Sequence, residues 1–193
     1  MSSGRTPSSP YKGLNAFEDT ELDALLFFGR ERETEIVVAN LIASRLTVLY
    51  GPSGVGKSWL ACALGHRACR DNLSVLYQRI PRLFSDLVLA RGDGRYARLM
   101  RALGGVKLLI LDDWGLEPLT AEQRHDMREI VEDLYGRGAT LITSQIPVDR
   151  WHDLVGDPTL ADAILDRVVH NAHRIQLRGD SLRRKRAQEN AMT

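Results

Sequence analysis

Long apolar runs are missing from this 193-residue chain: its longest apolar stretches are strand-length, and its N-terminus is Ser/Pro/Gly-rich without an apolar core. Neither a membrane-spanning helix nor a secretory signal is therefore expected, and the cytoplasm is the simplest compartment. Cysteine is scarce as well. Cys62 and Cys69 fall about two turns apart on one predicted helix, a spacing that suits small apolar packing residues better than a bridge or a metal site. His66, His125, His152, His170 and His173 share no ligand spacing with them, so no structural metal is expected. An excess of charge is also missing. With a net charge of +1, any nucleic-acid surface has to come from local clustering. No zinc finger, base-reading module or stacking motif is visible, so sequence-specific DNA reading is not expected. What is present, 44% hydrophobic residues in a chain of one-domain length, implies a globular protein with one sizeable core.

The most informative stretch is Gly51-Pro52-Ser53-Gly54-Val55-Gly56-Lys57-Ser58, which fits G-x-x-x-x-G-K-[ST] and follows the apolar run Leu46-Thr47-Val48-Leu49-Tyr50. It reads as strand, phosphate loop and helix start. The glycines allow positive φ and turn successive N–H groups inward, toward an anion at the positive end of the next helix. Lys57 then reaches the β- and γ-phosphates, and the Ser58 hydroxyl ligates Mg²⁺. A glycine-rich turn that binds nothing is the alternative. A second motif argues against it: the apolar run Leu108-Leu109-Ile110-Leu111, expected for a parallel strand covered on both faces, ends in Asp112-Asp113. Carboxylates at the C-terminal end of such a strand face the ligand crevice. Asp112 is the candidate Mg²⁺ carboxylate and Asp113 the group that orients or deprotonates the attacking water.

Strands are expected near 45–50, 73–79, 106–112, 139–144 and 172–177 with helices between them, a doubly wound and mainly parallel five-stranded α/β sheet. The expected organisation is a disordered leader over 1–10, an N-terminal helical segment flanking the nucleotide site over 11–44, a core over 45–178 and a basic tail over 179–193. A helix over 120–135 opens with the capping box Thr120/Gln123, buries Met127, Ile130, Val131, Leu134 and Tyr135, and ends at Gly136. Thr159-Leu160-Ala161-Asp162 reads as a second capping box. Arg79, Arg82, Arg91, Arg95, Arg98 and Arg101 cluster around the Gly92-Asp93-Gly94 turn; they can line nucleic-acid phosphates or cover a helix pair with their stems. The tail run Arg183-Arg184-Lys185-Arg186 offers the same choice between a DNA backbone and solvent.

Two resemblances overlap at the phosphate loop. Pro10-Tyr11-Lys12-Gly13-Leu14 and Phe27-Phe28-Gly29-Arg30-Glu31 resemble the N-terminal end of STAND-type signalling ATPases, which makes Phe28, Gly29 and Arg30 candidates for contact with the adenine and ribose; a hydrophobic corner with a solvated arginine is the alternative. The chain from Trp59 onward resembles IstB-type ATP-binding proteins of insertion sequences, relatives of the DnaC and DnaA AAA+ ATPases. The residues that carry this are Leu60-Ala61-Cys62-Ala63-Leu64-Gly65-His66, Leu109-Ile110-Leu111-Asp112-Asp113-Trp114-Gly115-Leu116, Leu141-Ile142-Thr143-Ser144-Gln145 and Gly156-Asp157-Pro158-Thr159-Leu160-Ala161-Asp162.

The IstB resemblance implies a P-loop NTPase of AAA+ type that binds and hydrolyses ATP with Mg²⁺, assembles as a homo-oligomer on duplex DNA and acts with a transposase encoded by the same element. Trp59 stands where a smaller or polar residue is usual beside the loop, and joins the nucleotide-contact candidates. Gln145 takes the γ-phosphate sensor position, with Ser144 second; a polar turn before Pro147 would look the same. Arg167 matches an arginine that reaches a neighbouring subunit's ATP, against the alternative of a salt bridge to Asp162 or Asp166. A STAND-like nucleotide-dependent switch and a DnaC-like helicase loader are the alternative functions.

Overall fold

The computed structural model describes residues 35–39, 41, 46–134, 137–170, 172–179 and 181. Five strands, β1 (Leu46–Tyr50), β2 (Val75–Arg79), β3 (Leu108–Trp114), β4 (Ala139–Ser144) and β5 (His173–Gln176), form one sheet in the order β2-β3-β4-β1-β5. Every pairing between them is parallel. Parallel neighbours need crossovers, and helices supply them. They are α1 (Lys57–Arg70), α2 (Ile80–Gly92) with α3 (Tyr96–Gly104), α4 (Ala121–Leu134), and α5 (Trp151–Val155) with α6 (Pro158–Leu165). A 3₁₀ turn, Val148–Arg150, precedes α5, and a π-helical turn, Asp166–His170, follows α6.

Alternation along the strands divides the core between the two faces of the sheet. Leu49, Leu108, Ile110 and Leu141 pack with Leu60, Ala61 and Leu64 of α1. The intervening Val48, Leu109, Leu111 and Ile142 pack with Leu83, Phe84 and Leu87 of α2, Met127 and Ile130 of α4, and Ile164 of α6. Residues 35–39 and 41 are helical, and Val37 joins the α1 side. This sandwich of two apolar layers explains the unbroken Leu108–Leu111 run, in which every residue is buried.

Local signals account for most boundaries. Thr120 and Gln123 form the expected reciprocal cap, Thr120 N–H to Gln123 Oε1 at 3.0 Å and Gln123 N–H to Thr120 Oγ1 at 3.3 Å. Met127, Ile130, Val131 and Leu134 are buried as their spacing predicts, while Tyr135 and Gly136 lie outside the described residues. The expected box at Thr159/Asp162 is corrected. Asp157 caps α6, its Oδ1 accepting the Leu160 N–H at 2.9 Å, because Pro158 fills the first helical position. β3 also runs on past its acids to Trp114, through a register shift against β4 between Leu111 and Trp114.

Candidate active site

The C-terminal ends of β1, β3 and β4 are neighbours, so the loops that leave them share one crevice. After β1, Gly51, Gly54 and Gly56 carry φ of +154°, +86° and +94°. Val55 is buried in the α1 side of the core and pins the loop, whereas Pro52 and Ser53 are exposed at its crest. Gly56 caps α1 in the left-handed conformation without a side-chain bond, so the first N–H groups of α1 keep their capacity for an anion. Lys57 opens α1 and Ser58 follows it, half-buried; Trp59 packs against the α1-side core. Lys57 is 7% exposed as a residue, and its Nζ donates to Gly51 O at 2.7 Å and Pro52 O at 2.8 Å. Burial lowers its pKa from the ordinary lysine value, against the opposing pull of Asp112 and Asp113. The chain returns to this loop after β5: Leu177 N–H donates to Tyr50 O at 2.8 Å, and a side chain added at Gly51 or Gly54 would overlap the Leu177 carbonyl or the Ser181 side chain.

After β3, Asp112 is 2% exposed and both of its oxygens accept hydroxyls. Tyr77 Oη–H donates to Oδ2 at 2.6 Å, and Thr143 Oγ1–H donates to Oδ1. Burial and that bond raise the Tyr77 pKa, which keeps the phenol protonated. Burial and Asp112 likewise push the nearby Cys62 thiol up to about 11 and leave it unreactive. Asp113 adopts φ of +64°, and its N–H donates to Thr143 Oγ1 at 3.2 Å. Arg79 grips its carboxylate: Nε and one terminal nitrogen donate to Oδ2 at 2.9 and 2.6 Å. Residues 77 and 79 lie on one face of β2, so this strand holds both acids. Neither partner was singled out for this from sequence, because the match depends on the parallel register that sets Arg79 opposite Asp112.

At the end of β4, Thr143 touches both acids. Ser144 does not. Fully buried, it shares its hydroxyl between Trp114 O and Ile146 O at 2.9 and 3.1 Å and accepts the Ile146 N–H, so it staples the backbone there. Gln145 follows, half-buried at the strand end. Arg167 donates to Ala163 O at 3.0 Å and stands 3.9 Å from Glu132 on α4. The arginines around the 92–94 turn divide. Arg91 binds the buried Asp126 together with Glu122 and stacks on Tyr96, Arg95 pairs with Asp93, and Arg82 lies 3.9 Å from Asp86. Phe28, Gly29 and Arg30 lie outside the described residues.

A family model described as IstB-like ATP binding protein matches residues 38–190. The chain belongs to this family. The match begins before β1, so the family stretch includes residues just ahead of the phosphate loop. A putative insertion sequence ATP-binding protein of Sinorhizobium fredii is 75% identical over 134 residues, which cover 69% of this chain and 55% of the relative; the chain thus spans little more than half of that protein's length. Among solved structures, DnaI aligns with a TM-score of 0.68 at 22% identity over 89% of this chain and 95% of its own. AMPPCP-bound DnaA from Aquifex aeolicus aligns with a TM-score of 0.66 at 20% identity over 86% of this chain and 52% of its own. At such identities the likeness establishes the fold, that of a P-loop AAA+ core.

Proposed function

We propose that this chain carries the ATP-hydrolysing core of an IstB-type transposition helper. The observation that carries the reading is the convergence, in one crevice, of a glycine-lined loop, a buried lysine bonded to that loop's own carbonyls, and a buried carboxylate held by two hydroxyls. Lys57 is poised to exchange Gly51 O and Pro52 O for β- and γ-phosphate oxygens, which bind an ammonium more strongly than neutral carbonyls do. Gly51, Pro52, Ser53, Gly54, Val55, Gly56 and Ser58 form the phosphate cradle, with Trp59 behind it and Gly29 and Arg30 at the adenine and ribose.

The oxygen-only pair Ser58 and Asp112 fits a hard divalent cation, and the hydroxyls on both Asp112 oxygens would orient it. Mg²⁺, when bound, neutralises phosphate charge. Asp113 takes a proton from water as that water's oxygen bonds to the γ-phosphorus; the bond to the β–γ bridging oxygen breaks, and ADP and phosphate leave. Gln145 holds the water or the γ-phosphate. Arg167 of one copy supports the transferring group in the next, so ATP favours a homo-oligomer, assembled on duplex DNA through backbone contacts and acting with the element's transposase.

The test is ATP turnover of wild type, Asp113→Asn and Arg167→Ala across protein concentration, with and without duplex DNA. Specific activity should rise with concentration and DNA in the wild type, and both variants should bind ATP but turn over at least tenfold more slowly. Turnover that is flat in both variables rejects the assembly.

A further inference from the structure

We propose that the basic run Arg183-Arg184-Lys185-Arg186 of one copy docks in an acidic pocket of the next, beside the turn that carries Arg167; the inference rests on the reading of Arg167 given above. The pocket, about 490 Å³, lies between the 3₁₀ turn, α5, α6 and the π-helical turn. Val148, Leu165 and Val169 give it apolar walls, and His152, Asp162 and Asp166 add polar ones. Asp162 is 81% exposed, with His152 Nε2 3.4 Å from its Oδ1. The surroundings carry the same sign. Residues 148–169 hold five aspartates against two arginines, and Asp149 and Asp153 are exposed as well. An apolar hollow with an anionic rim selects long cationic side chains, whose methylene stems cover the walls while their charged ends stay at the carboxylates.

Two placements bring this run to that pocket. Asp166 of the pocket directly precedes Arg167, and both belong to the π-helical turn. Where Arg167 of one copy reaches the ATP of the next, the pocket is therefore carried to that neighbour's phosphate loop. The neighbour's own chain returns to the same loop, with Ser181 set against Gly54. Residues 183–186 follow within two to five positions, a reach of at most about 18 Å. Four consecutive cations thus start beside the loop that the acidic pocket must approach, and the opposite charges steer the two copies into register. The π-helical turn serves both contacts, presenting Arg167 to the phosphates and Asp166 to the tail.

The experiment follows DNA-free self-association of the full chain by sedimentation velocity across protein concentration, with and without a non-hydrolysable ATP analogue. It compares wild type, Asp162→Lys/Asp166→Lys, and a tail variant with Arg183→Glu, Arg184→Glu, Lys185→Glu and Arg186→Glu; affinity for duplex DNA is measured in parallel. Melting temperature and analogue affinity, expected to match wild type, show that the variants are folded. Each charge reversal should weaken analogue-dependent association at least tenfold, because it sets like charges against each other. An equimolar mixture of the two variants, in which reversed pocket meets reversed tail, should return to within about threefold of wild type. Asp162→Asn/Asp166→Asn, which removes charge and keeps shape, should lose about threefold. Association unchanged in either reversal overturns the contact, as does a mixture no better than its components, which would place tail and pocket in one copy. A tail variant that loses only its affinity for DNA overturns it too, and assigns the run to nucleic-acid phosphates. Wild type that fails to associate with the analogue overturns the reading of Arg167 itself, and the contact with it.

Discussion

Thr143→Val isolates the junction on which the acid pair depends. Valine keeps the shape of threonine and removes only the hydroxyl, which donates to Asp112 Oδ1 and accepts the Asp113 N–H. Thr143 is 1% exposed and Asp112 2%, so water does not readily take over either bond. A hydrogen bond to a charged group contributes about 1.5–3 kcal/mol and a neutral one about 0.5–1.5 kcal/mol. The expected loss is therefore about 2–4 kcal/mol at neutral pH, or roughly 5–15 °C in Tm for a domain of this size. Urea unfolding with unchanged m-value provides the assay, with Thr143→Ser as a control expected close to wild type. In an Asp112→Asn background the same valine should cost about 1–2 kcal/mol less, since its bond to a charge is already gone. A loss below about 0.5 kcal/mol in the wild-type background would refute the assignment of Thr143 as the anchor of both acids.

Further outcomes follow from the same geometry. Lys57→Met should leave the nucleotide-free fold within about 1 kcal/mol of wild type, because it removes a buried charge along with its two carbonyl bonds, yet abolish the rise in melting temperature produced by ATP, measured by thermal shift. The depressed Lys57 pKa has a defined sign: between its folded and unfolded values the unfolded chain holds more protons, so stability gains with rising pH through that alkaline window. The stability of wild type relative to Lys57→Met should accordingly increase from neutral pH toward the ordinary lysine pKa, read by urea titration at each pH. Arg91→Ala should cost about 1–3 kcal/mol, since Asp126 is 1% exposed and, among the described residues, keeps only the Tyr96 hydroxyl. Gly54→Ala, at φ +86° and against Ser181, should weaken binding of an ATP analogue at least tenfold in a fluorescence titration.

The parts legible in the sequence are those that short-range rules govern. Leu108-Leu109-Ile110-Leu111 announces a doubly covered strand on its own, and Thr120 with Gln123 announces a helix start, because each signal is complete within a few residues. The phosphate loop is legible for the same reason. Asp157 escaped because Thr159 and Asp162 present an equally good local box; what excludes it is Pro158, which fits the first helical position and moves the start two residues upstream. Tyr77, Arg79 and Thr143 could not be assigned to the acids from composition or spacing, since they come from strands that meet β3 only through sheet register, 30 to 35 residues away in sequence. Ser144, second to Gln145 as a sensor by its place at the strand end, is turned by the sheet toward Trp114.

The return of the chain across the phosphate loop at Leu177 and Ser181 has a consequence for the edge of the sheet. Among the described residues β5 is paired on one side only, to β1, and an edge strand of four residues has few ladder bonds to keep it from fraying. Its continuation is fastened at Leu177, whose N–H closes on Tyr50 O and whose carbonyl abuts Gly51. A ligand that stiffens the glycine loop must also hold that fastening shut. Amide exchange at Leu177 should thus slow when ATP binds, although Leu177 carries no polar side chain. The edge strand would in this way report the nucleotide state through its backbone alone.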